Sequence, residues 1–244
     1  MNPSGGPTKY VNIQSVQNGD IVMEQLSTLA RAAQDRRQPA SILVADALRE
    51  AIFGRLLKQG EPLRQDALAK QFAVSQVTVR EALRLLGEEG LVEIAPRRGA
   101  IVACLSEDDV REIVELRITL ESILIAAAIR RLTDTDLEEA ERIIMRLDKA
   151  RTLNEQLQLN LSFHSLLYSR AVRPRTLAML EKLRLALEPY LRMLWMRSGY
   201  KSNSQADHRE IVALCRAKNV RGAQKTLASH ISATGDAIVA LLQT

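Results

Sequence analysis

Residues 61–103, EPLRQDALAKQFAVSQVTVREALRLLGEEGLVEIAPRRGAIVA, constrain the fold of this chain more than any other stretch. Apolar positions at helical spacing define two short helices, about Gln65 to Phe72 and Gln76 to Gly87, around the turn Ala73-Val74-Ser75. Ser75 is placed to cap the second of them. In that helix Val79, Ala82, Leu83 and Leu86 share one face, which directs Gln76, Thr78, Arg80 and Arg84 away from the core. Leu91 to Ile94 and Ala100 to Ala103 read as two strands joined by Ala95-Pro96-Arg97-Arg98-Gly99, a basic turn ending in Gly. Two helices across a tight turn, followed at once by a basic hairpin, is the element order of a winged helix-turn-helix. A preceding helix is expected from a Ser41 cap to about Lys58, carrying Leu43, Val44, Ala47, Leu48, Ala51 and Ile52. Gln59-Gly60-Glu61-Pro62 ends it.

The remaining chain divides around this segment. Residues 1–40 are rich in Gly, Asn, Gln and Ser and read as a flexible extension, with one possible short helix from Met23 to Ala33. Beyond Ser106, an N-cap followed by Glu107, Asp108 and Asp109, every segment reads as helix: 106–131, 133–152, 154–170, 174–198, 202–218 and 220–242. Breaks fall at Thr133-Asp134, Thr152-Leu153-Asn154, Val172-Arg173-Pro174, Ser198-Gly199 and Lys218-Asn219, and Pro189 predicts a kink or break inside the fourth segment. The fold class expected is therefore mainly α. A winged helix-turn-helix domain over 41–104 precedes an antiparallel bundle of about six helices over 105–244. Aromatics make up only 3% of a chain that is 46% apolar, so the cores must be built from Leu, Ile, Val and Ala, which favours helices.

A helix that enters the major groove needs an exposed polar N-terminal face with paired donors and acceptors. Ser75, Gln76, Thr78, Arg80 and Arg84 supply it. Arg97, Arg98 and the backbone at Gly99 would meet phosphate or the minor groove. One exposed helix with two Arg is more often a solvated face, and the basic hairpin behind it is what favours double-stranded DNA as the partner. Net charge carries little of this argument: Ser41 to Cys104 holds nine basic and eight acidic residues, so placement matters rather than total. Cys104 and Cys215 stand far apart outside any CxxC, implying reduced thiols and a cytoplasmic protein. The longest apolar run, Ile123 to Ile129, is too short to span a membrane.

The stretches G60-E61-P62-L63, L68-A69, V74-S75-x-x-x-V79-R80-E81-A82-L83, E89-G90-L91-V92 and R97-R98-G99 closely resemble the GntR family of bacterial transcription regulators. The resemblance implies operator binding by a homodimer whose two winged domains meet the halves of a palindrome, with repression relieved by an effector as the usual sense. Two positions depart from the family pattern, since Arg is usual where Asp66 and Gln76 stand, and both typically approach DNA. An operator unlike the family's common one is therefore expected.

The chain's three histidines, His164, His208 and His230, all fall in the predicted bundle. Histidine is the commonest metal ligand, and three imidazoles can form one face of a Zn²⁺ or Ni²⁺ site. Asn160 lies one turn before His164 on the same helix face. Eleven residues separate Asn219 from each of His208 and His230, so an antiparallel hairpin sets these two at matching heights, whereas the same counting does not bring His164 to their level. Three scattered polar residues would leave the same spacing. N160-L161-S162-F163-H164, D207-H208-R209-E210-I211 and S229-H230-I231 resemble the three metal-binding segments of the FCD effector domain, which defines the FadR subfamily of GntR regulators. E115-L116-R117 with L120-E121 resembles its opening helix. The resemblance implies a divalent metal on Asn160, His164, His208 and His230, with Asn160 a neutral ligand where Asp is usual. It further implies a small organic-acid effector, whose far end Arg117, or less directly Arg192, would hold. Two other readings stay open at this point: a metal-dependent hydrolase using the three-His site, against which stand the absence of an obvious general base other than Asp207 and the presence of the wing, and a metal-free FCD-type sensor.

Overall fold

The computed structural model describes residues 39–95, 99–197 and 201–243. The expected extension up to residue 38, the turn residues Arg97 and Arg98, and the break at Ser198-Gly199 lie outside them. The chain divides into two compact units, one ending at Val102 and one running from Ala103, with Glu88–Leu91 grouped with the second. Nine helices and three strands make up the described residues, and no helix among them is long and apolar enough to cross a membrane.

The first unit opens with α1 (Ala40–Phe53), which buries Val44, Ala45, Ala47, Leu48, Ala51, Ile52 and Phe53. Its boundaries differ from the sequence expectation. Pro39, not Ser41, occupies the N-cap position, with no side-chain cap bond. At the far end Gly54 closes the helix, and Arg55 adopts a left-handed φ of 60° while Leu56 N–H reaches back to the Ala51 carbonyl, so the helix stops at Phe53 rather than Lys58. Pro62 then does more than break a helix. Pro62–Leu63 form β1, the edge of a three-stranded antiparallel sheet of order β1-β3-β2, where a residue without an N–H is tolerated.

Helices α2 (Gln65–Phe72) and α3 (Gln76–Glu88) follow, with Ala73 in the left-handed region (φ 53°) and the Val74 N–H bonded to the Ala69 carbonyl across the turn. Val79, Ala82, Leu83 and Leu86 are buried, the face read from their spacing. The hairpin is formed by β2 (Val92–Ala95) and β3 (Gly99–Val102), each one residue displaced from expectation, in the register Val92↔Val102 and Ala95↔Gly99.

The second unit is a bundle of α4 (Glu107–Ala128), α5 (Asp134–Lys149), α6 (Leu153–Tyr168), α7 (Pro174–Arg197), α8 (Lys201–Arg216) and α9 (Val220–Leu242). Local signals start them. Ser106 with Asp109 and Thr133 with Asp136 form capping boxes, and Thr152 and Asn219 each accept one N–H of the first turn. Pro189 sits inside α7 without ending it. Helix α4 packs most extensively on α9, and their approach depends on Gly235, where an added Cβ would lie 2.5 Å from Val114 Cγ2. Lys218, left-handed at φ 52°, places its ammonium on the Ile129 and Leu132 carbonyls just beyond the α4 C-terminus, at 3.0 and 2.8 Å. The core of this unit is continuous and aliphatic, completed by Phe163 and Tyr168, both fully buried.

Candidate functional site

Three helices bring the histidines together. His164 projects from α6, His208 from α8 and His230 from α9, and all three are buried. Ring centroids stand 5.2 Å (His164–His208), 5.4 Å (His164–His230) and 4.9 Å (His208–His230) apart, and one nitrogen from each lies within 4.8 Å of the others. Counting along helices matched only the last pair. His164 arrives because α6 packs across the bundle, a consequence of packing that spacing does not encode.

Neighbours on α8 fix two of the rings. His208 Nδ1 is 2.9 Å from Gln205 Oε1, and His230 Nδ1 is 3.2 Å from Asp207 Oδ2. An amide oxygen can only accept, so His208 Nδ1 carries the proton and Nε2 is left with its lone pair. That Nε2 and the Nδ1 of His164 are buried with no hydrogen-bond partner among the described residues. Buried nitrogens are rarely left so, and each such atom calls for an explanation. Burial, followed by the neighbouring His208 and His230, holds His164 well below the ordinary imidazole range. Burial, then His230 and Arg209, lowers His208 to about 2. Both rings are therefore neutral and able to donate a lone pair. Phe163 packs against His208 with ring centroids 4.4 Å apart, adding an apolar wall.

Beside the imidazoles lies a cavity of about 50 Å³ whose lining includes Arg117, Asn160, His164, Arg184, Glu188 and Thr234. Asn160 and His164 thus face the same space, as one helical turn requires. Arg117 reaches it from α4 and Arg184 from α7. Both guanidinium groups are held by Glu121, which is fully buried: Arg117 Nε donates to Oε1 at 2.9 Å and Arg184 Nη2 to Oε2 at 3.0 Å. Tyr168 Oη donates to Oε2 at 2.6 Å. Burial would raise the Glu121 carboxyl, but Arg117 and Arg184 outweigh it and hold the group down to about 2. Two cations against one anion leave this cluster positive towards the cavity.

Arg192 is not at this cavity. Its guanidinium donates to Glu188 Oε1 at 3.0 Å and Asn154 Oδ1 at 2.6 Å. Arg184, on the same helix, occupies the place considered for it. Arg192 lies about two turns further along α7, where Glu188 and Asn154 hold its guanidinium. The sequence reading missed Arg184 and gave Glu121 no role. The available signal was a charge inside apolar runs, LRL at 183–185 and LESILI at 120–125.

In the first unit Ser75 Oγ accepts the Thr78 N–H at 3.1 Å and lies 2.9 Å from Thr78 Oγ1, so the α3 N-terminus is capped and its hydroxyls are paired. Gln76 and Arg80 are exposed, and so is Val77 at 57%. Arg84 Nε donates to Glu81 Oε2 at 3.2 Å in an exposed pair. Gly99 has a φ of 82°, which admits the hairpin's return without Cβ strain. Gln76 and Gly99 line one recess with Asp66 and with Arg64, the N-cap residue of α2. Asp66 and Gln76, the two positions that depart from the GntR pattern, therefore border the same recess. Arg64 was missed, being a lone basic residue ahead of a helix.

Comparison with known proteins agrees with this architecture. Residues 43–102 match the model of bacterial regulatory proteins of the gntR family, and residues 112–233 match the FCD domain. An uncharacterized HTH-type transcriptional regulator of Bacillus subtilis, YdhC, is 28% identical over 203 residues, 81% of this chain and 90% of its own. Among solved structures, Escherichia coli McbR/YncC superposes with a TM-score of 0.68 at 26% identity, covering 84% of this chain and 98% of that one. A GntR family member from Pseudomonas syringae pv. tomato is 31% identical, with a TM-score of 0.53, over 93% of this chain and 96% of its own. These relatives are transcriptional regulators and not enzymes, which removes the hydrolase reading. The chain belongs to the GntR family of bacterial regulatory proteins, and it is a transcriptional regulator with an N-terminal helix-turn-helix domain and a C-terminal FCD domain.

Proposed function

We propose that this regulator is a cytoplasmic homodimeric repressor that senses a small carboxylate through a divalent metal, Zn²⁺ or Ni²⁺. Residues 41–104 bind the operator, and 105–244 hold the effector and supply the dimer contact. The observation that carries the reading is the set of buried imidazole nitrogens without partners, converging beside a cavity lined by Arg117 and Arg184. Three imidazole nitrogen donors suit a borderline divalent ion. His164, His208 and His230 hold it, and the amide oxygen of Asn160 completes the protein's share. When bound, the metal is a Lewis acid that accepts a carboxylate oxygen. Gln205 and Asp207 keep the His208 and His230 rings turned to the site, and Glu121 holds Arg117 and Arg184 ready for the effector's outer oxygens.

On the operator, Gln76, Thr78 and Arg80 read base edges from the start of α3, and Val77 offers an apolar contact for a thymine methyl. Ser75, Arg84, Gly99 and the turn residues Arg97 and Arg98 hold the backbone, with Arg64 alongside. Asp66 beside Gln76 repels phosphate where the family pattern has Arg, so the operator differs from the common one. Metal analysis of the full chain loaded with zinc in the presence of a small carboxylate tests the sensor reading: wild type takes up about one ion per chain, and His208→Ala loses it. Equal metal in both proteins sinks the site. Footprinting tests the operator reading, and full-affinity binding to the family's usual palindrome overturns it.

A further inference from the structure

The strongest unexplained feature of the site is its charge. The candidate donors are the three imidazoles of His164, His208 and His230, which converge, and the amide of Asn160, which lines the cavity with His164, so none supplies an anion to a bound cation. The acids nearby are engaged elsewhere. Glu121 is shared between Arg117, Arg184 and Tyr168 and leaves that cluster with an excess of positive charge. Glu188, on the cavity wall, accepts from Arg192. Asp148 binds Gln205 and Arg209. Asp207 lies behind the His230 ring, and more than a third of its side chain is exposed to solvent. A divalent ion here would join two guanidinium groups in a buried pocket with little to balance it, a strongly unfavourable arrangement.

From this deficit of anion we propose that metal and carboxylate load as a unit: each raises the affinity of the other, and the regulator registers the two together rather than the acid alone. The inference rests on the sensor reading given above. Its physical content is that the incoming carboxylate is the missing counter-charge. It neutralises part of the metal's charge at one end and part of the Arg117–Arg184 excess at the other. Linkage then makes the effect reciprocal, because whatever factor the acid adds to metal affinity the metal adds to acid affinity. Asn160 is the position that sets this behaviour. An amide there contributes an oxygen without a charge, whereas a carboxylate at the same place would compensate the metal permanently and leave it bound whether or not effector is present.

The experiment is a competition titration of the metal-stripped full chain against a fluorescent zinc indicator, with and without acetate or succinate, both weak chelators in solution. In wild type at least one of the acids should tighten Zn²⁺ binding by about tenfold, within the usual range of coupling between sites. Asn160→Asp should bind Zn²⁺ about tenfold more tightly than wild type with no acid present, and the acids should then change its affinity by less than about threefold. Circular dichroism establishes that both proteins keep their helix content. The wild-type comparison decides by itself if Asp at 160 prevents folding. Zinc affinity that neither acid changes overturns the proposal while leaving the metal site in place. An Asn160→Asp protein that binds no more tightly than wild type does the same. If wild type takes up no zinc under any condition, or His208→Ala takes it up equally well, the sensor reading fails and the coupling with it.

Discussion

Glu121 offers the most direct test of how the effector site is held together. It is fully buried and receives bonds from Arg117, Arg184 and Tyr168. Its carboxyl is held at about 2, from an ordinary 4.5, because the two guanidinium groups outweigh the effect of burial. A depression of that size corresponds to about 3 kcal/mol of folding stability. The sign follows from the direction. A carboxylate lowered in the folded state contributes its full amount above the unfolded value near 4.5 and loses it as the pH falls towards the folded value. Glu121→Gln keeps the shape but removes the charge, and it leaves two guanidinium groups in the bundle without their anion. At neutral pH the variant should be less stable by at least about 3 kcal/mol, and the pH-dependent part of the difference should shrink to about 1 kcal/mol near pH 3. Urea unfolding followed by fluorescence of the single tryptophan, Trp195, on the partly buried face of α7, measures it. A stability difference that stays constant between neutral and acid pH would refute the reasoning, because it would mean the Glu121 charge contributes nothing beyond packing.

The bundle makes three further predictions. Gly235→Ala places a methyl against Val114 at the α4–α9 contact and should destabilise the protein by about 1–3 kcal/mol, read as a lowered urea midpoint at unchanged slope. Val172 is 72% exposed and left-handed at φ 53°, where a β-branched side chain is strained, so Val172→Gly should be stabilising by up to about 1 kcal/mol in the same assay. Arg184→Lys keeps the charge but loses the planar fork; titration calorimetry with an acid that binds the wild type should show affinity falling by about tenfold or more, with zinc binding in the absence of acid unchanged. Undiminished acid binding would remove Arg184 from the site.

The second unit was legible in the sequence because its punctuation is local. Ser106, Thr133, Thr152 and Asn219 each bond within their own first turn, so the helix starts could be read without tertiary knowledge. The buried face of α3 was legible for the same reason, through the spacing of Val79, Ala82, Leu83 and Leu86. Most of what sequence reading missed depends on distant partners. The strand β1 exists only because Pro62 and Leu63 pair with Ile101 and Ala100, and two residues carry no period. The end of α1 was misplaced because Gly60 looked like the stop while Gly54 and a left-handed Arg55 had already made one. At the effector site, the α8–α9 hairpin could be counted but the approach of α6 could not. The exchange of Arg192 for Arg184 reflects which side of α7 faces Glu121, a matter of helix rotation that composition does not record.

One turn of α8 supplies His208 and also the two groups that aim imidazoles, Gln205 at His208 and Asp207 at His230. These three positions lie within four residues, and helical geometry rotates successive residues by about 100°. Inserting or deleting one residue among them would turn a donor and its guides to different sides of the helix at once. In descent they should therefore behave as one inherited word, kept or lost whole. An alignment of FCD domains in which Gln205, Asp207 and His208 drift independently would speak against that.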